Sequence, residues 1–206
     1  MPKKPRVAIA IPLASPMIYW QTVAAILEME KPRGSELMVF QGALVDRARN
    51  HLVEQMLSHA NQFTHLFFLD ADIAPRPDAL AQLLSRNLPI VSGLYRKRTP
   101  PHEPMAFIKA KKGFIPISER GPALQEVDRV GGGCLLIRRD VFRKMKPPWF
   151  VNGWTKKGHV SEDFYFCDKA HACGYKIFLD RETRPLHLQP VGIGTSPEGK
   201  MIYEPF

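Results

Sequence analysis

The sequence predicts an α/β fold with a mostly parallel central sheet, on three observations. Short apolar runs recur at residues 7–11, 36–40, 64–69 and 89–92. Amphipathic, helix-length segments separate them. After Gly93 the alternation gives way to a stretch rich in Pro, Lys and Arg with only brief apolar pieces, which reads as a smaller antiparallel part.

The run 7–11 is ended by Pro12 and suits a central strand. Ser15-Pro16 reads as a helix start, cap then first-turn proline, with the helix reaching about Glu30 and stopping near Pro32 and Gly34. A second strand follows at 36–40. The helix at 45–60 places Val45, Ala48, Leu52, Met56 and Leu57 on one side. The run 64–69 is apolar enough for a strand buried on both faces. A helix at 77–87 and a short strand at 89–92 complete the alternation. In the following segment, 105–108 and 114–117 read as antiparallel strands, and 134–137 as a strand entered through Gly131-Gly132-Gly133. Helices at 141–145 and 161–173 follow, the latter capped by Ser161 and stopped by Gly174. Short strands at 175–179 and 185–188 come last. Residues 192–206, rich in Gly, Pro and Ser, read as a mobile tail.

The 206 residues, 45% hydrophobic and 24% charged, suffice for one domain with its own core. This composition excludes a collagen, a coiled coil and a wholly disordered chain. No apolar stretch is long enough for a membrane span. Lys3, Lys4 and Arg6 before the first apolar run imitate a signal peptide, but Pro12 interrupts the run early. Cys134, Cys167 and Cys173 make neither a disulfide framework nor a zinc pattern, which points to a reducing, cytoplasmic setting. The charge is localised. Residues 96–157 hold fifteen cations against five carboxylates, a net +10, against +1 before and −2 after. Such a segment attracts phosphate-rich ligands or an anionic membrane surface, or is a solvated basic face. Nucleic acid is disfavoured because no aromatic RNA-binding signature or zinc finger accompanies it.

Phe67-Phe68-Leu69-Asp70-Ala71-Asp72 carries the strongest chemical signal. Ligands of open α/β sheets bind at the carboxyl ends of strands. Residues two apart in an extended chain project to the same side, so Asp70 and Asp72 converge where a divalent cation would relieve their repulsion. Ser161-Glu162-Asp163 at a helix start is explained by the helix dipole alone, yet a carboxylate there also serves as a general base. His187, between two leucines, is either a core residue or a nitrogen ligand to the same cation. The three glycines form a loop or let backbone approach a ligand. Trp149, Phe150 and Trp154 either pack in the core or stack on a sugar.

In order and spacing these pieces resemble the GT-A glycosyltransferases, especially small family-2-like members. The carriers are the first strand, Val45-Asp46-Arg47-Ala48-Arg49-Asn50, Asp70-Ala71-Asp72, Gly131-Gly132-Gly133 with its strand, Ser161-Glu162-Asp163, and Leu186-His187-Leu188. The resemblance implies one GT-A domain over 1–191, with a nucleotide-sugar half (1–95) and an acceptor-side half (96–191). It also implies a UDP- or GDP-linked sugar donor, UDP favoured, and a divalent ion, Mn2+ or Mg2+. Asp72 and His187 would hold the ion, and Asp70 the ion or the ribose. Pro12 and Ala14, with Asp46, Arg49, Asn50 and Ala71, would line the nucleotide. Asp163 would be the base, and Gly132, Trp149, Trp154 and Glu162 would face a glycan, lipid-linked or protein acceptor. The net charge of 96–157 favours an anionic acceptor, with peripheral membrane contact left open. A single displacement would invert the anomeric centre, whereas related enzymes with similar motifs retain it. Absence of a Gln-x-x-Arg-Trp motif favours single addition over processive synthesis. Two rivals remain on the sequence alone: a magnesium phosphatase of the haloacid dehalogenase type, which also uses Asp-x-Asp, and a basic nucleic-acid-binding protein.

Overall fold

The computed structural model describes residues 4–42, 44–60, 63–155 and 158–205. Lys3 of the amino-terminal cluster, Lys156 and Lys157 of the basic segment and Phe206 of the tail lie outside them. The elements are, in order, β1 (Val7–Leu13), α1 (Trp20–Glu28), β2 (Glu36–Gln41), α2 (Val45–Ser58), β3 (His65–Leu69), β4 (Ile73–Ala74), α3 (Ala79–Ser85) and β5 (Ile90–Gly93). There follow β6 (Ala106–Ala110), β7 (Gly113–Pro116), β8 (Leu124–Val127), β9 (Arg129–Val130), β10 (Cys134–Arg138) and α4 (Arg139–Lys144). The chain closes with β11 (Gly153–Thr155), β12 (Gly158–Val160), α5 (Glu162–Ala172), β13 (Ile177–Asp180), β14 (Leu186–His187), β15 (Val191–Thr195) and β16 (Met201–Pro205).

Seven strands form the central sheet in the order β2-β1-β3-β10-β5-β13-β8. β1, β2, β3, β5 and β13 run one way; β10 and β8 run against them. Strand alternation explains the uninterrupted apolar runs. Ala8 and Ala10 of β1 and Leu66 and Phe68 of β3 enter one core with Leu52 and Met56 of α2 and Phe166 of α5. Val7, Ile9, Ile11, Phe67 and Leu69 enter a second core on the opposite face with Ile26 of α1 and Leu80 and Leu83 of α3. Each fully buried Val, Leu, Ile, Phe or Met among them contributes roughly 1.5–3 kcal/mol.

This topology creates the site. β1 and β3 are parallel neighbours, so residues 12–15 and Asp70 leave the sheet at the same edge. β10 is antiparallel to β3, pairing Cys134 with Leu69, so the glycine triplet enters at that edge too. A small antiparallel sheet, β7-β6-β9, stands in the segment predicted to hold one.

Several boundaries differ from expectation. The first helix begins at Trp20 rather than near Ser15, because the Tyr19 amide donates to the Ala71 carbonyl (3.0 Å) and holds residues 14–19 as a loop over the site. Ser161 precedes α5, but its hydroxyl donates to the Asp163 carboxylate instead of capping backbone. Most of the segment read as a mobile tail, 192–206, falls in the β15–β16 hairpin, which starts at Val191. Among the described residues no helix is long and apolar enough to cross a membrane.

Candidate active site

A cleft of about 770 Å³ opens at the carboxyl edge of the sheet. Pro12, Leu13, Ala14 and Ser15, the loop to Trp20, Val45, Asp70, Ala71, Asp72 and Arg98 line it. The size suits a nucleotide-sized ligand. Pro12, Ala14, Asp70, Ala71 and Asp72 thus stand together, as the sequence grouped them.

Behind the cleft lies a buried charge cluster. Arg49, 1% exposed, projects from α2 beneath Asp70. Its Nη2 donates to Asp70 Oδ1 (2.8 Å), its Nε to Glu162 Oε1 (3.2 Å) and its Nη1 to the Gly132 carbonyl (3.3 Å). Its guanidinium also lies over the Phe68 ring, 5.1 Å from the centroid. Burial disfavours the guanidinium's charge, but Asp70, Glu162 and Asp163 together hold it fully protonated. Burial pushes Asp70 above the usual carboxylate range, and Arg49 opposes this. A Cβ at 132 would sit 2.7 Å from Arg49 Nη2, so any other residue must displace the guanidinium from its partners.

Asp163, in the first turn of α5, is pushed up to about 6 by burial and then by its neighbour Glu162. Its Oδ1 accepts from the Ser161 hydroxyl and from the Phe164 amide (2.8 Å). Tyr95, just past β5, accepts a hydrogen bond from the Gly133 amide (2.9 Å). Burial first, then Asp70 and Asp163, raise its phenol well above the ordinary value.

Asp72 faces His187 and Arg98. His187 Nδ1 donates to the Arg96 carbonyl (2.7 Å), which turns Nε2 toward Asp72 Oδ2 at 3.4 Å. Arg98 Nη1 is 3.1 Å from the same oxygen. Burial works to raise Asp72, but the His187 hydrogen bond and the two positive neighbours prevail and lower it. Burial likewise works against the imidazolium, and the bonds to Asp72 and Arg96 prevail and raise His187.

Nδ1–H on a carbonyl, with Nε2 toward a carboxylate, is the orientation of a metal-ligating histidine. Asp72 and His187 therefore fit a hard cation as two protein ligands. No three Asp, Glu, His or Cys side chains converge to hold one among the described residues. A Mg2+- or Mn2+-type ion completed by phosphate oxygens and water needs no third.

Other expected site residues have different surroundings. Asp70, Asp72 and His187 do not converge as a three-ligand cluster among the described residues, and one Asp70 oxygen accepts from Arg49. Asn50 is a clamp: its Nδ2 donates to the Asp46 and Phe150 carbonyls (2.8 and 2.7 Å) and its Oδ1 accepts from the Trp149 amide (2.9 Å). Asp46 Oδ2 accepts from the Asn152 amide (3.2 Å), so both side chains pin the 149–152 segment rather than line the cleft. Trp149 is corrected from acceptor platform to core. It is 4% exposed, and its indole N–H is shared by the Phe142 and Met145 carbonyls. Gly132 is buried under Arg49 and makes room for it. Trp154 is exposed on β11, with its ring edge-on to His159. Tyr95 and Arg98 were not singled out from the sequence. Arg98 stands in an Arg-Lys-Arg run just past a predicted strand end, a signal submerged in the general charge of its segment.

No family model matches the chain. No curated protein matches it in sequence either. Solved structures do match its fold. GalNAc-T7 with UDP, GalNAc and Mn2+ superposes with a TM-score of 0.60 at 14% identity, over 91% of this chain and 44% of that one. S. aureus TarS 1–349 in complex with UDP-GlcNAc superposes at 0.54 and 12% identity, over 90% and 59%. Both are GT-A glycosyltransferases. The fold is GT-A. A197 from STIV matches at 0.67 and 19% identity over 97% of this chain and 94% of its own length. The present chain thus spans about half the length of the two nucleotide-bound GT-A structures and nearly all of A197.

Proposed function

We propose that the protein is a glycosyltransferase that moves a sugar from a nucleotide-sugar, UDP-linked by preference, to an acceptor hydroxyl. One observation carries the reading: a nucleotide-sized cleft at the carboxyl edge of the sheet ends at an Asp72–His187 pair suited to a cation. The GT-A neighbours with bound UDP, Mn2+ and UDP-GlcNAc support the same ligand class.

In this reading Pro12, Ala14 and Ala71 border the nucleotide, and Asp72 and His187 hold the divalent ion. The ion, when bound, offsets charge on the departing diphosphate. Arg98, on the cleft wall, supplies a second positive charge to that diphosphate. Asp163 removes the acceptor proton, a task suited to a group that is ionised at neutral pH yet basic. Arg49 holds Asp70 and Glu162 in place and touches neither substrate. Attack from the face opposite the diphosphate, in one displacement, inverts the anomeric centre.

The test is a panel of UDP- and GDP-sugars screened for hydrolysis and thermal stabilisation with and without Mn2+. A ligand that binds only the folded state raises Tm with its concentration. The reading expects at least one UDP-sugar to stabilise and be hydrolysed only with metal. No response to any member of the panel would overturn it.

A further inference from the structure

A second cavity, of about 350 Å³, shares Arg98 with the cleft and has His187 in its wall. Its ionic lining is one-sided: Arg96, Lys97, Arg98 and Arg184 stand against one carboxylate, Glu119. Three of these cations have carboxylate partners. Arg96 pairs with Glu119, Lys97 Nζ is 2.8 Å from Glu103, and Arg98 pairs with Asp72. Arg184 pairs with no carboxylate among the described residues. Its Nε donates to the Arg181 carbonyl (2.6 Å), and its two terminal nitrogens have no protein hydrogen-bond partner among the described residues. A guanidinium with a free fork is shaped for a tetrahedral or planar anion. The rest of the wall is amphipathic: Tyr95 leads toward Gly133 and Asp163, and Leu186 is 67% exposed.

We propose that this cavity is an acceptor subsite for a phosphate ester, with Arg184 as its principal anion ligand and Arg98 shared between acceptor phosphate and donor diphosphate. The assignment to the acceptor rests on the glycosyltransferase reading. The anion site itself rests on the cavity and its charges. A volume of about 350 Å³ is at the lower end for ligand pockets and admits a phosphate with one sugar ring or a glycerol unit. Two sources offer this chemistry, a soluble phosphate ester and a lipid phosphate headgroup.

The experiment is equilibrium binding of two probes to the full chain: glycerol 1-phosphate by calorimetry, and phosphatidylcholine vesicles containing phosphatidic acid by flotation. Each is run with and without saturating UDP. At least one probe should bind, binding should persist with UDP, and Arg184→Ala should weaken it about tenfold or more. Glu119→Gln, which frees Arg96, should tighten it a few-fold. Soluble probe alone identifies a free ester, and vesicles alone identify a lipid phosphate; either supports the subsite. Failure of both probes, equal binding by Arg184→Ala, or displacement by UDP overturns it, the last by placing the anion in the donor cleft. If Arg184→Ala does not fold, Glu119→Gln decides, and unchanged binding is then the overturning result. The UDP-sugar screen is separate, so phosphate binding that survives a negative screen removes the transferase reading but not the anion site.

Discussion

Replacing Arg49 with methionine tests the buried charge cluster most severely. Methionine fills much of the same volume but removes the partner of two carboxylates and one carbonyl at once. Removing one member of a buried ion pair typically costs about 3–5 kcal/mol, because the other charge is stranded. The stranded charges are Glu162, whose side chain is 11% exposed, and Asp70, at 31%. Against a typical domain stability of about 5–15 kcal/mol, the variant should fold but be marginal. The loss should depend on pH. Burial already raises Asp70, and without Arg49 its folded-state value rises further above the unfolded one. A raised carboxyl is harmless while protonated and destabilising once pH climbs through its folded value, so the deficit should be larger at pH 8 than at pH 5. Urea unfolding of both proteins at the two pH values measures this directly. A deficit below about 1 kcal/mol at pH 8, or one equal at both pH values, would refute the reasoning.

Other expectations follow from the same geometry. Asp163→Asn keeps an oxygen to accept from Ser161 and Phe164, so donor affinity should hold while turnover falls on the order of a hundredfold. In the wild type, kcat/KM should drop as pH falls below about 6, where Asp163 gains its proton, and a flat profile to pH 5 would exclude it as base. Gly132→Ala would place a methyl 2.7 Å from Arg49 Nη2, and unfolding should show a loss of about 1–3 kcal/mol. Trp149→Phe removes the N–H that two carbonyls accept and should cost about 1–2 kcal/mol while leaving acceptor KM unchanged. A selective rise in KM would return Trp149 to the acceptor site.

The sheet was legible because β1, β3 and β10 are buried on both faces and must read as continuous apolar runs. Asp70 and Asp72 were legible as abrupt charge after such a run. Strands β4, β8 and β9 were not, because two to four residues carry too little period, although β14, equally short, was read from its Leu-His-Leu run. Arg49 and Asn50 were legible as chemistry on one helix face, but not in their roles. Their partners, Glu162 and the 149–150 backbone, lie about a hundred residues away, and local pattern holds no record of such pairing. Trp149 illustrates the same limit. A tryptophan in a polar stretch reads equally as core or as sugar platform, and the contact that accompanies its burial, its amide on Asn50, spans about a hundred residues.

The central claim is that Asp72, with His187, holds a divalent ion against a donor diphosphate. Calorimetry of UDP binding to the wild type and to Asp72→Asn, each with Mn2+ and with EDTA, tests it most directly. Asparagine keeps the shape and removes the charge. Unfolding curves for the two proteins should differ by no more than about 1–2 kcal/mol, since Arg98 is half exposed and the asparagine oxygen still faces His187. Wild-type binding should be tightened by Mn2+ at least tenfold over EDTA, and in Asp72→Asn the two conditions should give the same weak affinity. Equal Mn2+ enhancement in both proteins would contradict the account.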